Sequence, residues 1–426
     1  MKSKAVRIYG VNDLRLDEFE LPDIKDDEIL ASVVSDSICM SSHKLAMQGD
    51  AHKRVWHKPL SQNPAIIGHE FCGNILKVGA KWKGRYTEGA KYAVQPSVNI
   101  PDEKGLIQLW SPGYSYPYLG GDATYVIFPN TLIEMGCILD YSGNTYFMAG
   151  LAEPVSCVLA AFHGQYHTIK DTHRHDMGIV PGGATAILGG AGPMGLAATD
   201  FAIHNARKPG LLVITDINQP RLQRAESLQP PSHAGEQGVN LQYINPTGMT
   251  GPEQIARLKA LNGGRPFDDV FVFYPDASLV GIADALLAHD GCLNFFAGPV
   301  DKDFSASFNF YGVHYNEHHL AGTSGGNTED MRESLQMIQA GILHPEFMVS
   351  HIGGLNTVAD TTINLDKIPG GKKLIYTQKN LPLIAIEDFG KQGTSFYDSL
   401  ADICSTNNNL WCKEAEDYLL AHAPDI

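Results

Sequence analysis

Residues 185–202 read TAILGGAGPMGLAATDFA. An apolar run meets glycines at Gly190, Gly192 and Gly195, and a helix-forming stretch follows. In such a G-x-G-x-x-G turn, Gly190 is expected to allow the tight turn. Gly192 would let the backbone approach a pyrophosphate, and Gly195 would let helix and strand pack closely. Pro193 and Met194 open the helix, whose first amides suit a phosphate anion. The glycine pattern alone is weak in a chain with 43 glycines. Its context is what gives it weight. The next apolar run, LLVITD, ends in Asp216, 21 residues beyond Gly195, where an acid can take ribose hydroxyls. The stretch therefore predicts a dinucleotide-binding unit. An acid at that place repels a 2′-phosphate and favours NAD(H) over NADP(H), while Arg221 on the following helix softens the preference.

Outward from the turn, the texture of the chain divides it. From residue 155 to 345, strand-like runs (DDVFVFY, GCLNFFAG, HHLAGTS) alternate with helix-like ones (GPEQIARLKALNG, ASLVGIADALLAHDG, TEDMRESLQMIQAGI). Such alternation predicts an α/β unit, a doubly wound parallel sheet covered on both faces. Residues 1–154 instead carry short apolar runs between turn residues (EILASVVS, CGNILKVGA, AKYAVQP, ATYVIFP), which predicts a β-rich domain. Residues 346–426 return to short strands at GGKKLIYT. A tail then begins near residue 380, with helical spacing in SFYDSLADIC and EAEDYLLAHA. The tail reads as packing or interface material without chemistry of its own.

A chain of 426 residues is too long for one ordinary core, and 43% hydrophobic with 19% charged residues describes a globular protein. The net charge of −15 argues against nucleic acid and anionic membrane as partners. The N-terminus lacks a signal-peptide pattern and no apolar run reaches 18 residues, so a cytoplasmic protein is expected. Seven cysteines without paired spacing do not form a disulfide framework.

Three further stretches carry metal-ligand types. SICMSSHKL (37–45) contains Cys39, IIGHEFCG (66–73) contains His69 and Glu70, and LAEPVS (151–156) contains Glu153. Thiolate, imidazole and carboxylate suit a Zn2+ site that keeps a position open. Each has a plainer reading alone: a core thiol, a satisfied core histidine, a surface glutamate. In the order CMSS, GHEFCG, GGDATY, AEPVS, GGAGPMG, GGKKLIY, however, the chain resembles the zinc-dependent medium-chain alcohol and polyol dehydrogenases over residues 1–380. The resemblance implies a GroES-like catalytic domain, completed by the returning C-terminal segment, with a Rossmann domain between. It also implies a homo-oligomer, a nicotinamide cofactor, and one catalytic zinc held by Cys39, His69 and either Glu70 or Glu153.

The chain departs from that family in two places. Ser41 keeps the hydroxyl two residues after the metal cysteine, where it can exchange a proton with substrate. Ser42 replaces the acid common next to it, and Lys44 replaces the usual relay histidine, with His43 one position out of register. Residues 95–125 contain no cysteine, so no structural zinc is expected there. Within the family, the motifs resemble the branch that reduces L-sorbose 1-phosphate to D-glucitol 6-phosphate. Lys44, with Lys53 and Arg54 in HKR, supplies positive charge for such a substrate, although Lys53 and Arg54 also read as solvated loop charges. The alternatives are a dehydrogenase of a neutral polyol such as sorbitol, and a non-catalytic NAD-binding relative. Elsewhere, His314, Glu317, His318 and His319 in HYNEHH are expected on a strand, where neighbours face opposite ways and cannot share a metal. HTIKDTHRHD (167–176) is expected as a solvated loop, and Cys72, Cys137, Cys157 and Cys292 as core thiols.

Overall fold

The computed structural model describes residues 1–101, 104–105 and 107–426. The chain forms two compact units: residues 1–153, 327–339 and 349–426 in the first, 154–326 and 340–348 in the second.

The first unit is built on a sheet in which the predicted strands meet. Its order is Ile138–Asp140, Lys91–Val94, Cys72–Val78, Ile29–Ile38, Lys372–Tyr376, Val349–Gly354 and Ile384–Ala385, with Tyr125–Phe128 also on Ile29–Ile38. Ile29–Ile38 is buried almost throughout, as a central strand must be when both faces are covered. The returning segment thus joins the sheet at its middle, through Lys372–Tyr376 antiparallel to Ile29–Ile38.

The second unit is a six-stranded sheet, every neighbouring pair parallel. Its order is Asn240–Ile244, Leu211–Thr215, Ala184–Leu188, Phe267–Val272, Leu287–Phe295 and His319–Ala321. The strand order reverses beside Ala184–Leu188, the strand that carries the glycine turn. Ligands bind at the carboxyl ends of strands at such a switch point.

Several expectations are corrected. The helix Thr328–Gln339, placed by its sequence in the dinucleotide unit, belongs with the first unit. Its Met331, Leu335 and Ile338 are buried, Ser334 donates to the Ala152 carbonyl at 2.9 Å, and Ser142 donates to Gln339 at 2.7 Å. An apolar stripe says that a helix packs, not against what. Residues 167–176 are solvated over 169–176 as expected, but they form a hairpin of Tyr166–Thr168 with His175–Met177, and His167 is buried and donates to Asp269 at 3.1 Å. HYNEHH is not one strand, since His314 sits in the short helix Phe310–Tyr315 and only His319 enters a strand. His319 pairs with Asp290 at 2.7 Å and His318 with Asp284 at 3.6 Å, so these histidines have separate carboxylate partners. Cys72, Cys137 and Cys292 are buried and Cys157 is half-buried. The cysteine-free stretch 95–125 includes positions 102, 103 and 106, which lie outside the described residues. No helix among the described residues is long and apolar enough to cross a membrane.

Candidate metal centre and cofactor loop

The strand Ile29–Ile38 delivers Cys39 to the N-cap of the helix Met40–Gln48. The helix is anchored by buried Ser42, His43, Leu45 and Ala46. His43 donates from Nδ1 to the Thr362 carbonyl at 2.9 Å, a structural engagement, while Ser41 and Lys44 of the same helix interact with the thiol. Burial pushes the Cys39 thiol up, while Lys372 and the Ser41 amide and hydroxyl pull it back toward thiolate. An N-terminal helix position favours the anion in the same sense.

His69 and Glu70 stand on a loop that a buried acid organises. Asp36 accepts the amides of Ser37 at 2.8 Å and Glu70 at 3.0 Å through Oδ1. Gly68 has φ +89°, and a Cβ there would lie 2.0 Å from Asp36 Oδ2. A Cβ on Gly113 would lie 2.2 Å from the Gly68 carbonyl, so the two loops touch backbone to backbone. Asp122, from the GGDATY motif, lies beside Asp36. Burial raises both carboxyls, Asp122 to about 7, so this pair behind His69 retains a proton near neutrality.

Cys39, His69 and Glu70 each offer a ligand atom, and the three atoms lie within 4.8 Å of one another. His69 is buried, its Nδ1 has no hydrogen-bond partner, and burial holds its pKa down, which keeps the imidazole neutral as a metal ligand must be. Glu70 is engaged at both oxygens, by the Lys372 ammonium and the Ser37 hydroxyl. Burial alone would raise the Glu70 carboxyl; Lys372 and His69 hold it below its ordinary value. Glu153 stands outside this close group but within its field. Burial, then the Glu70 charge, raises its carboxyl to about 7. The Glu70–Lys372 pair is neutral as a unit, and burial inclines the Cys39 thiol and the Glu153 carboxyl to hold their protons. A divalent cation that displaced both protons would be balanced by the two anions so formed, so the donor set fits zinc by chemistry and by charge.

A ring stack borders the cluster. Tyr114 is buried with its ring centroid 5.2 Å from that of His69 and 5.2 Å from that of His52. The Arg54 guanidinium lies 5.3 Å from the Tyr114 ring centroid, and its charge opposes protonation of His69. Arg54 is therefore half-buried beside the cluster, not simply a solvated loop charge. Lys44 is half-buried as well; burial lowers its pKa, Cys39 raises it and Lys53 lowers it. Asp36, Tyr114 and Lys372 were missed as site residues. The available signals were charged residues inside apolar strands, in SVVSDSI and GGKKLIY.

In the second unit, Ala184–Leu188 runs into the glycine turn and the helix Pro193–His204, with Gly192 as N-cap and Pro193 first in the helix. The left-handed residue is Gly189, φ +73°, not Gly190. Gly190 and Gly195 are required by packing: a Cβ on Gly195 would lie 1.9 Å from the Gly190 carbonyl. Around Gly192 the space is open, with nothing within 4 Å of where a Cβ would lie. Met194 is half-buried in the first helical turn. Asp216 is buried at the end of the adjacent strand, accepting the Ala191 amide at 3.1 Å and the Asn218 amide at 2.9 Å. It thereby ties the strand end to the glycine turn. Arg221 is exposed.

With these geometries in place, the chain can be compared with known proteins. Residues 25–135 match the alcohol dehydrogenase GroES-like domain. The L-sorbose 1-phosphate reductase of Klebsiella pneumoniae is 47% identical over 424 residues, 99% of this chain and 98% of its own. The mannitol-1-phosphate 5-dehydrogenase of Aliivibrio fischeri is 45% identical over 421 residues, 98% of this chain and 97% of its own. A zinc-binding dehydrogenase of Sinorhizobium meliloti, solved with NADP bound, superposes with TM-score 0.71 at 20% identity, over 88% of this chain and 100% of that one.

Proposed function

The chain belongs to the zinc-dependent medium-chain dehydrogenases and is an oxidoreductase; from that premise we propose that it interconverts a ketose phosphate and its polyol phosphate. The favoured substrate pair is L-sorbose 1-phosphate and D-glucitol 6-phosphate, with NAD(H) as cofactor and one zinc per chain. The observation that carries the reading is a half-buried thiol grouped with a buried imidazole and a buried carboxylate, with Lys44 and Arg54 at its margin, in a chain whose net charge is −15. Cations partly withdrawn from water beside a metal centre suit a phosphorylated substrate better than a neutral one.

Cys39 and His69 would hold the metal; Glu70 groups with them but is already bonded to Lys372, so the third ligand proposed is Glu153, whose carboxyl feels both Cys39 and His69. Bound there, zinc would supply Lewis acidity toward the substrate oxygen and a nicotinamide would supply the hydride chemistry. The chain's own side chains do the rest. Ser41 exchanges the hydroxyl proton with the substrate oxygen. Lys44 and Arg54 hold the phosphate; burial lowers the Lys44 pKa, and Cys39 opposes that shift in part. The turn at Gly190, Gly192, Pro193, Met194 and Gly195 receives the pyrophosphate, and Asp216 takes the ribose hydroxyls with lone pairs its two backbone donors leave unused. Arg221, exposed on the next helix, is the residue through which NADP(H) would be tolerated.

The Aliivibrio relative's name sets a second phosphate position to test. In mannitol 1-phosphate oxidised at C5 the phosphate lies four carbons from the reacting carbon, whereas in L-sorbose 1-phosphate it lies on the adjacent one. Steady-state kinetics with L-sorbose 1-phosphate, D-fructose 6-phosphate and L-sorbose, each with NADH and NADPH, separates the readings. Two charge-assisted phosphate contacts at about 1.5–3 kcal/mol each make the phosphorylated sugar better by about 10² or more in kcat/KM. Lys44→Ala should remove much of that ratio and leave L-sorbose turnover nearly unchanged. Equal kcat/KM for L-sorbose and its 1-phosphate in the wild type would end the sugar-phosphate reading and favour a neutral polyol.

A further inference from the structure

The tail beyond residue 380 was expected to carry no chemistry, yet one of its side chains reaches two of the segments that build the metal centre. Glu416, on the helix Lys413–His422, is 1% exposed. Its Oε2 accepts the Tyr146 amide at 2.7 Å and its Oε1 accepts the Phe147 amide at 2.9 Å. These are the opening amides of the helix Phe147–His163, which carries Glu153 and has no acid of its own in its first turn. The same Oε1 accepts the Tyr376 hydroxyl at 2.9 Å, and buried Trp411, also from the tail, donates Nε1–H to that hydroxyl at 2.7 Å. Tyr376 ends the strand whose first residue, Lys372, pairs with Glu70.

The helix is close-packed where it matters. A Cβ on Gly150 would lie 2.7 Å from the Glu70 carbonyl, so the first turn rests directly on the Glu70 backbone. Glu153 follows one turn later on the same face. A small shift of this first turn would therefore move Glu153 relative to Cys39 and His69.

We propose that Glu416 is a positioning residue for the metal centre: by gripping the start of the Glu153 helix and the end of the Lys372 strand together, the C-terminal tail sets where these two side chains stand. This rests on the metal site proposed above. A buried carboxylate with three donors is rigid in a way that an apolar contact is not, because each donor fixes a direction as well as a distance.

The test is zinc affinity, measured on the full chain by competition with a chromogenic chelator, beside thermal unfolding of the zinc-free protein. Glu416→Gln should weaken zinc binding by about tenfold or more, in the range seen when supporting partners of metal ligands are removed. Tyr376→Phe, which removes one of the three donors and keeps the ring, should weaken it by about threefold. Zinc affinity within twofold of wild type in folded Glu416→Gln, even with a lowered Tm, would make the residue merely structural and overturn the proposal. If Glu416→Gln does not fold, unchanged affinity in Tyr376→Phe overturns it equally. Glu153→Gln separates the two levels of inference. Should it leave zinc affinity unchanged while Glu416→Gln weakens it, the ligand assignment is wrong and the clamp stands through Lys372; the reverse pattern removes the clamp and keeps the ligand.

Discussion

Glu70 and Glu153 are both buried carboxylates, and the Lys372 ammonium is hydrogen-bonded to Glu70. The consequence is visible in their opposite shifts: Lys372 holds Glu70 ionised against its burial, while burial lifts Glu153 to about 7. Removing the Glu70 charge would strand the Lys372 ammonium beside the metal site, an uncompensated buried charge that repels a cation. Glu70→Gln should therefore lose zinc, and Glu70→Gln/Lys372→Met should regain most of it, whereas Glu153→Gln should lose zinc with no rescue from Lys372→Met. Metal content of the four proteins after gel filtration decides the matter. A double variant as poor in zinc as Glu70→Gln would make Glu70 itself the ligand. The choice between the two glutamates was not legible in GHE and AEP, because the motifs show two carboxylates and not which of them a distant lysine neutralises.

At the scale of elements, the return segment 340–348 is joined to the dinucleotide unit by ionisable groups. Asp200, buried on the helix Pro193–His204, accepts the His344 amide at 2.7 Å and faces the rings of His204 at 3.1 Å and His344 at 3.4 Å. Hydrogen bonds to Asp200 raise both histidines, so their contribution is present below about pH 6.5 and is lost as pH rises through their folded values. Glu346, in the turn Pro345–Met348, is raised by burial to about 7, and its Oε2 is buried without a hydrogen-bond partner. Between about pH 4.3 and 7 the unfolded chain releases that proton while the folded one keeps it, so the folded state loses stability as pH climbs through this window. All three groups act in the same direction. Glu346→Gln should match wild-type Tm at pH 5 and exceed it by a few degrees at pH 8, for a difference of about 1–3 kcal/mol. Scanning calorimetry at the two pH values checks this, and an equal offset at both would refute the role of Glu346 ionisation.

Over the whole molecule, the tail is core. Phe389, Leu400, Trp411 and Leu419 are fully buried against Phe147, Leu151, Val349, Ile352, Leu374 and Tyr376 of the first unit. Loss of a buried aromatic costs about 3–5 kcal/mol, and several such losses exceed the 5–15 kcal/mol that holds a typical domain together. A chain ending at residue 380 should fail to give a folded first unit, as read by soluble yield and near-ultraviolet circular dichroism. Wild-type Tm and zinc content in that truncation would show the tail to be dispensable. What the sequence by itself determined was local or ordered along the chain. The glycine turn with Asp216 one strand later, the alternation that makes a parallel sheet, and the order of the metal-ligand motifs all follow from short-range periodicity and chain direction. Only the tertiary structure decided that Lys372 pairs with Glu70, that Gly113 lays its loop on Gly68 beside His69, that the helix Thr328–Gln339 joins the first unit, and that Glu416 caps the Glu153 helix. Each of these is a contact between segments far apart in the chain. Spacing along the sequence carries no record of which buried charge meets which; that is settled when the sheet closes and every group withdrawn from water must find a partner.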